Sequence, residues 1–118
     1  MGRLSTHVLD TASGKPAQGV AVELRRLGAD GSATLVVRAT TNADGRTDAA
    51  LLADAAFAPG DYELTFAIGD YFRATGAIPA GPAFLEKVPV RFQMTDPDGR
   101  YHVPLVCSPW AYSTYRGS

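Results

Sequence analysis

Val20-Ala21-Val22-Glu23-Leu24-Arg25 alternates apolar and polar side chains, which is the period of a strand with one buried face and one wet face. Val20, Val22 and Leu24 are expected to point into a core, and Ala21, Glu23 and Arg25 away from it. The same period recurs in Leu35, Val37 and Ala39, in Tyr62, Leu64, Phe66 and Ile68, and in Val88, Val90, Phe92 and Met94. These four sets are expected to supply most of the core. Gly, Pro, Asp and Asn break the pattern at short intervals, which reads as short antiparallel strands in an all-β sandwich.

The breaks themselves are informative. Ala29-Asp30-Gly31, Ala43-Asp44-Gly45 and Pro97-Asp98-Gly99 each place a glycine where positive φ is wanted, so each should reverse the chain. One interruption reads as helix: Asp70 is expected to cap a short segment over 71–75 that Gly76 ends. Pro79, Gly81 and Pro82 then make a loop. Tyr101, Trp110, Tyr112 and Tyr115 fall within the last eighteen residues, and disordered ends are poor in aromatics. Order is therefore expected almost to the terminus, with strands near 101–107 and 112–115.

A chain of 118 residues can close one modest core, so residues 1–118 are expected to form a single domain. Eleven Lys and Arg against twelve Asp and Glu leave a net charge of −1. They form no basic stripe, which argues against nucleic acid as a partner. No apolar stretch approaches the ~20 residues needed to span a bilayer, and no export signal is read at the N-terminus, so no membrane association is expected. The single cysteine, Cys107, has no intrachain partner, which fits a reducing compartment and a cytoplasmic address.

Chemistry that needs imidazole near neutral pH must use His7 or His102, the only two histidines. Strand parity puts His102 with Pro104 and Val106, opposite the more apolar Tyr101, Val103, Leu105 and Cys107, so His102 should face away from the core. The plain alternative is a solvated surface histidine. A zinc site takes three or four ligands, usually His, Cys and carboxylate. His102 and Cys107 are an odd number of residues apart and should fall on opposite faces, unless a bulge after Pro104 breaks the parity. No His-x-His or Cys-x-x-Cys spacing adds a ligand, so neither metal nor cofactor is expected. A Gly-x-Ser-x-Gly elbow is missing, as are phosphate-cradling glycine loops. On the residues alone, this is a sandwich with two candidate bases and an ordered terminus of unassigned purpose.

Two segments assign that purpose: Leu4-Ser5-Thr6-His7-Val8-Leu9-Asp10 and Tyr112-Ser113-Thr114-Tyr115-Arg116-Gly117-Ser118. Together they resemble the transthyretin-related 5-hydroxyisourate hydrolase family of urate breakdown. The resemblance continues through Gly14-Lys15-Pro16-Ala17, Thr41-Asn42-Ala43-Asp44-Gly45-Arg46, Pro59-Gly60-Asp61-Tyr62 and Tyr101-His102-Val103-Pro104-Leu105. The terminal Tyr-Arg-Gly-Ser is its most specific part, because transthyretin, the hormone carrier of similar fold, lacks it. Departures are mild: Ser5 replaces a frequent Thr, Asn42 a frequent Asp, and Cys107 a frequent Leu.

The resemblance implies an antiparallel Greek-key β-sandwich of the transthyretin-like, or prealbumin-like, type with one short helix. It implies a homotetramer, a dimer of dimers whose central channel holds the active sites. It implies hydrolysis of 5-hydroxyisourate to 2-oxo-4-hydroxy-4-carboxy-5-ureidoimidazoline by general-base activation of water. The family's catalytic set maps onto His7, Arg46, His102 and Ser118, with Tyr115, Arg116 and Gly117 as substrate-binding residues of the terminal motif. One histidine would be the base, His102 slightly favoured over His7. Arg46 would hold the substrate anion or oxyanion. Ser118 would orient a histidine or the water, and Arg116 would either neutralise the terminal carboxylate or bind substrate. The alternatives are a non-catalytic transthyretin-like carrier of a small ligand, and a structural prealbumin-like module of the kind found in longer secreted chains.

Overall fold

The computed structural model describes residues 1–118 throughout. In chain order the elements are β1 (Arg3–Asp10), β2 (Lys15–Pro16), β3 (Ala21–Leu27), β4 (Ala33–Thr40), β5 (Leu52–Ala53), a 3-10 turn (Asp54–Ala56), β6 (Gly60–Phe66), α1 (Ile68–Thr75), β7 (Val88–Met94), β8 (Arg100–Cys107) and β9 (Tyr112–Thr114). They form two sheets, one ordered β2-β1-β8-β9 with β5 also paired to β1, the other β4-β3-β6-β7. The sandwich read from the alternation is the one observed. All pairs are antiparallel except one: β1 and β8 run parallel over eight residue pairs, from Arg3 beside Arg100 to Asp10 beside Cys107. With most of the chain between them, no hairpin dictates their direction.

Twenty-two buried apolar residues close a core between the sheets. Val20, Val22, Leu24, Tyr62, Leu64, Phe66, Val88, Val90 and Met94 lie in it as expected, with Phe92 packed at its edge. Two sets differ from expectation. Ile68 is buried, yet it opens α1 rather than extending β6. On β4, Leu24 pairs with Val37 while Arg25 pairs with Leu35, so Val36 bulges out of the ladder. The extra residue inverts the phase. Val37 and Ala39 pack against the core, whereas Leu35 is 39% exposed beside Arg25.

Helix α1 also starts earlier than its sequence suggests. Ala67 is its N-cap and makes no side-chain capping bond. Asp70 sits inside the first turn, where it pairs with Arg73 instead of capping, a carboxylate placed favourably near the positive end of the helix. Gly76 ends the helix in the left-handed conformation, with φ of 79°. Tyr71 ties α1 to the first strand by donating its hydroxyl to the buried Asp10 carboxylate at 2.8 Å. The other Asp10 oxygen accepts the backbone N–H groups of Ala12 and Ser13.

The reversals at Gly31 and Gly45 use positive φ, 87° and 76°. Gly99 does not share that conformation. It is small for a different reason, since a Cβ there would lie 2.5 Å from Cε2 of Tyr101. The Tyr101 hydroxyl accepts the N–H groups of Thr95 and Asp96, both at 3.0 Å, so ring and turn are locked together at the start of β8.

Candidate active site

The parallel β1–β8 register decides where the polar side chains meet. Ser5 lies beside His102 and His7 beside Pro104, so by pleat parity Arg3, Ser5 and His7 share the sheet's outer face with Arg100 and His102. His102 points away from the core, as parity requires, but it is half-buried rather than free in solvent. Cys107 points the other way and is 1% exposed. Burial pushes its thiol up to about 12, and its Sγ rests on the Leu9 carbonyl at 3.6 Å. It is neither a nucleophile nor a ligand for anything His102 touches.

Arg46 reaches the site through the turn that precedes β5. The Asn42 side chain accepts the N–H groups of Asp44 and Arg46 at 2.9 and 3.2 Å, an Asx turn that sets the loop's shape. The Gly45 carbonyl then accepts the Val8 N–H at 2.8 Å. The approach is so close that a Cβ on Gly45 would lie 2.4 Å from the Val8 carbonyl oxygen. Docking the turn this way bridges Arg46 to His7 and brings the Asp44 carbonyl within 2.8 Å of His7 Nε2. A carbonyl only accepts, so Nε2 of His7 is the protonated nitrogen.

The tail completes the wall on the other side. β9 pairs with β8 from Leu105 beside Thr114 to Cys107 beside Tyr112, and the Thr114 hydroxyl donates to the Pro104 carbonyl at 2.7 Å. The chain then turns so that Gly117 bridges His102, its N–H donating to the His102 carbonyl at 2.7 Å. Arg116 lies over the Tyr101 ring, its Cζ 4.4 Å from the ring centre, a cation–π contact that holds the tail down. Tyr115 is 58% exposed.

Arg3, Ser5, Arg46, Arg100, Tyr101, His102 and Ser118 line an open cleft of about 270 Å³. Of the residues named from sequence, Arg46, His102 and Ser118 thus line one cavity, with His7 bridged to Arg46 beside it and Gly117 behind His102. Tyr115 and Arg116 are outside the lining. Sequence reasoning missed Ser5, Arg3, Arg100 and Tyr101 as cleft residues. Their parity was legible, but their neighbours depend on the parallel register.

Electrostatics favour an anion here. Three arginines line the cleft and no carboxylate side chain does. None of the three is in an ion pair, whereas Arg25, Arg38, Arg73 and Arg91 each have an acidic partner. The imidazole of His102 is held below its ordinary value of 6.5 first by burial, then by the charges of Arg46 and His7. A neutral imidazole beside three guanidiniums that pair with no Asp or Glu side chain can take a proton from water while cations hold negative charge.

Gly117 packs against the edge of that imidazole: a Cβ at this position would lie 2.5 Å from Cδ2 of His102. Gly117→Ala is therefore expected to displace the ring and cut kcat about 10-fold or more, the scale on which small misplacements of catalytic groups act. Its effect on thermal stability should be slight because the residue lies at the surface. Steady-state kinetics beside a melting curve checks both.

The HIUase/Transthyretin family model matches residues 4–117. A 5-hydroxyisourate hydrolase of Mesorhizobium japonicum is 60% identical over 118 residues, covering 99% of this chain and 93% of its own. The crystal structure of an (S)-allantoin synthase superposes with a TM-score of 0.91 at 45% identity; the match covers 99% of this chain, which spans 44% of the synthase's length. Sea bream transthyretin in complex with thyroxine superposes with a TM-score of 0.84 at 29% identity, covering 98% of this chain and 94% of its own.

Proposed function

Because the chain belongs to the HIUase/Transthyretin family, we propose that it is an enzyme that hydrolyses 5-hydroxyisourate, a step of urate degradation, as the names of its near-full-length relatives indicate. The observation that carries the chemistry is the meeting of His102, Arg46 and Ser118 in one cation-lined cleft. His102 acts as general base, taking a proton from water as the water oxygen adds to the ring amide carbonyl. The carbonyl electrons move onto oxygen, where the guanidinium of Arg46 holds the charge. Collapse breaks the ring C–N bond, the proton on His102 passes to the leaving nitrogen, and the new carboxylic acid releases its remaining proton to solvent to give a carboxylate. His7, with Nε2 committed to the Asp44 carbonyl, fixes the Arg46 turn. Ser118 contributes polar contacts at the cleft wall, Gly117 backs the base, and Tyr115 and Arg116 hold the tail, with substrate contact in the assembled protein as part of the proposal.

The same reading assigns residues 1–118 to one functional domain, supported by the single apolar core, and the assembly to a homotetramer built as a dimer of dimers. Trp110, Tyr112 and Tyr115 support the assembly: they are 67%, 44% and 58% exposed on the tail, an apolar surface suited to burial against another copy. Such packing would cover the outer face of β1 and β8 and deepen the cleft. No helix is long and apolar enough to cross a membrane, and a cytoplasmic address is proposed with the lone thiol Cys107 in its support. The carrier alternative is not favoured, because a ligand-binding channel has no need of a neutral imidazole beside unpaired arginines.

The test is the absorbance decay of freshly generated 5-hydroxyisourate with and without protein; decay at the spontaneous rate would refute the proposal. The pH profile sharpens it. The lowered His102 pKa keeps the base unprotonated at neutrality, so kcat/KM is expected to stay flat there and to fall on the acid side at a midpoint below 6.5. Arg46→Gln, which removes one of the charges that lower it, should move that limb to higher pH.

A further inference from the structure

Ser5 sits directly beside His102 across the parallel ladder, with its Oγ 2.8 Å from Nδ1 of the imidazole. This is the one hydrogen bond either side chain makes within the chain. On its opposite edge the ring meets Gly117, whose missing Cβ would lie 2.5 Å from Cδ2. The imidazole is thus gripped at Nδ1 and at Cδ2, which leaves Nε2 as the nitrogen free to meet a reactant.

A neutral imidazole has one N–H and one lone pair, and the partner of one nitrogen sets the state of the other. A hydroxyl can donate or accept, so Ser5 alone would allow both tautomers. The cleft breaks the tie. Arg3, Arg46 and Arg100 line it, none of them paired with an Asp or Glu side chain, and their combined field favours a lone pair on the free nitrogen over a positively polarised N–H. The hydroxyl of Ser5 is then left to accept the proton of Nδ1.

We propose that Ser5 is a positioning residue: by accepting the Nδ1–H of His102 it fixes the ring plane and keeps the Nε2 lone pair aimed into the cleft. The inference rests on His102 being the general base. Ser5 transfers no proton itself and takes no part in bond making, so its effect falls on the chemical step. Its alternative role as a substrate contact would fall on binding instead.

Ser5→Ala is expected to lower kcat about 10–100-fold, the range over which loss of a histidine's orienting partner acts, with KM changed less than about twofold. Ser5→Thr, which keeps the hydroxyl, should restore most of the rate. Nitrogen-15 spectra of the histidine-labelled protein read the tautomer without turnover: Nδ1 protonated in the wild type, with the proton shifted toward Nε2 in Ser5→Ala. A wild-type kcat in Ser5→Ala, a raised KM with kcat intact, or an Nε2-protonated His102 in the wild type would each overturn the role of Ser5. Normal turnover by His102→Ala would overturn the base assignment instead, and the spectra separate the two failures.

Discussion

His102→Ala is expected to reduce kcat/KM for 5-hydroxyisourate by about 10²–10⁴-fold, the contribution of a positioned general acid–base group. Its pH profile should lose the acid limb below 6.5 that His102 creates. The protein should stay folded. His102 lies on the outer face of β8, half-buried, and its one side-chain hydrogen bond is to Ser5, so no core contact is lost. His7→Ala is the informative comparison. His7 bonds the Asp44 carbonyl from the nitrogen that would otherwise be free, so its loss loosens the turn carrying Arg46 and acts through substrate and oxyanion binding. A His7→Ala enzyme that lost its pH limb, beside a His102→Ala enzyme that kept it, would reverse the two assignments.

Removal of residues 115–118 is expected to abolish measurable turnover, at least a 100-fold loss on the scale of misplaced catalytic groups, while leaving the sandwich intact. Three contacts go together: the Gly117 N–H to the His102 carbonyl, the Arg116 guanidinium over Tyr101, and Ser118 at the cleft wall. None of them holds the core, and β9 keeps its pairing to β8 and the Thr114 bond to Pro104. Circular dichroism should therefore be unchanged where activity is lost. Full activity in the truncated chain would remove the tail from the site. Tyr101→Leu separates the parts, since it deletes the ring under Arg116 while leaving Gly117 and Ser118 in the chain.

What the sequence disclosed follows from which interactions are local. Alternation along a single strand exposes its buried face, so Val22, Leu24, Leu64, Phe66, Val88 and Val90 were legible as core, as was the outward aim of His102. The bulge at Val36 carries no local mark, because the run Thr34-Leu35-Val36-Val37 looks like an unbroken strand; alternation alone therefore puts Leu35 on the wrong face. Asp70 resembles an N-cap in sequence, yet the backbone enters α1 at Ala67 without any capping side chain, since burial of Ile68 and Phe72 secures the first turn. Gly99 shows the same ambiguity at a turn: its glycine serves the approach of Tyr101 rather than a positive φ.

The site was less legible than the fold. His7, Arg46, His102 and the terminal motif stood out by resemblance, but only the parallel β1–β8 ladder explains how they converge. That pairing joins residues from opposite ends of the sequence and leaves no trace in either strand alone. Ser5 became a partner of His102 through it, and Arg3 and Arg100 became neighbours. The contact of Arg116 with Tyr101 was equally hidden, because ring and guanidinium meet through the course of the tail and not through any spacing.

If His102 is the base that opens the ring of 5-hydroxyisourate in this cleft, substrate loss depends on that side chain. The most direct measurement is the rate of absorbance loss of freshly prepared 5-hydroxyisourate at neutral pH, with wild type and His102→Ala at equal concentration beside a protein-free control. Fast decay is expected with the wild type, and decay close to the spontaneous rate with the variant. Wild-type decay no faster than the control, or equal rates for the two proteins, would contradict this role of His102.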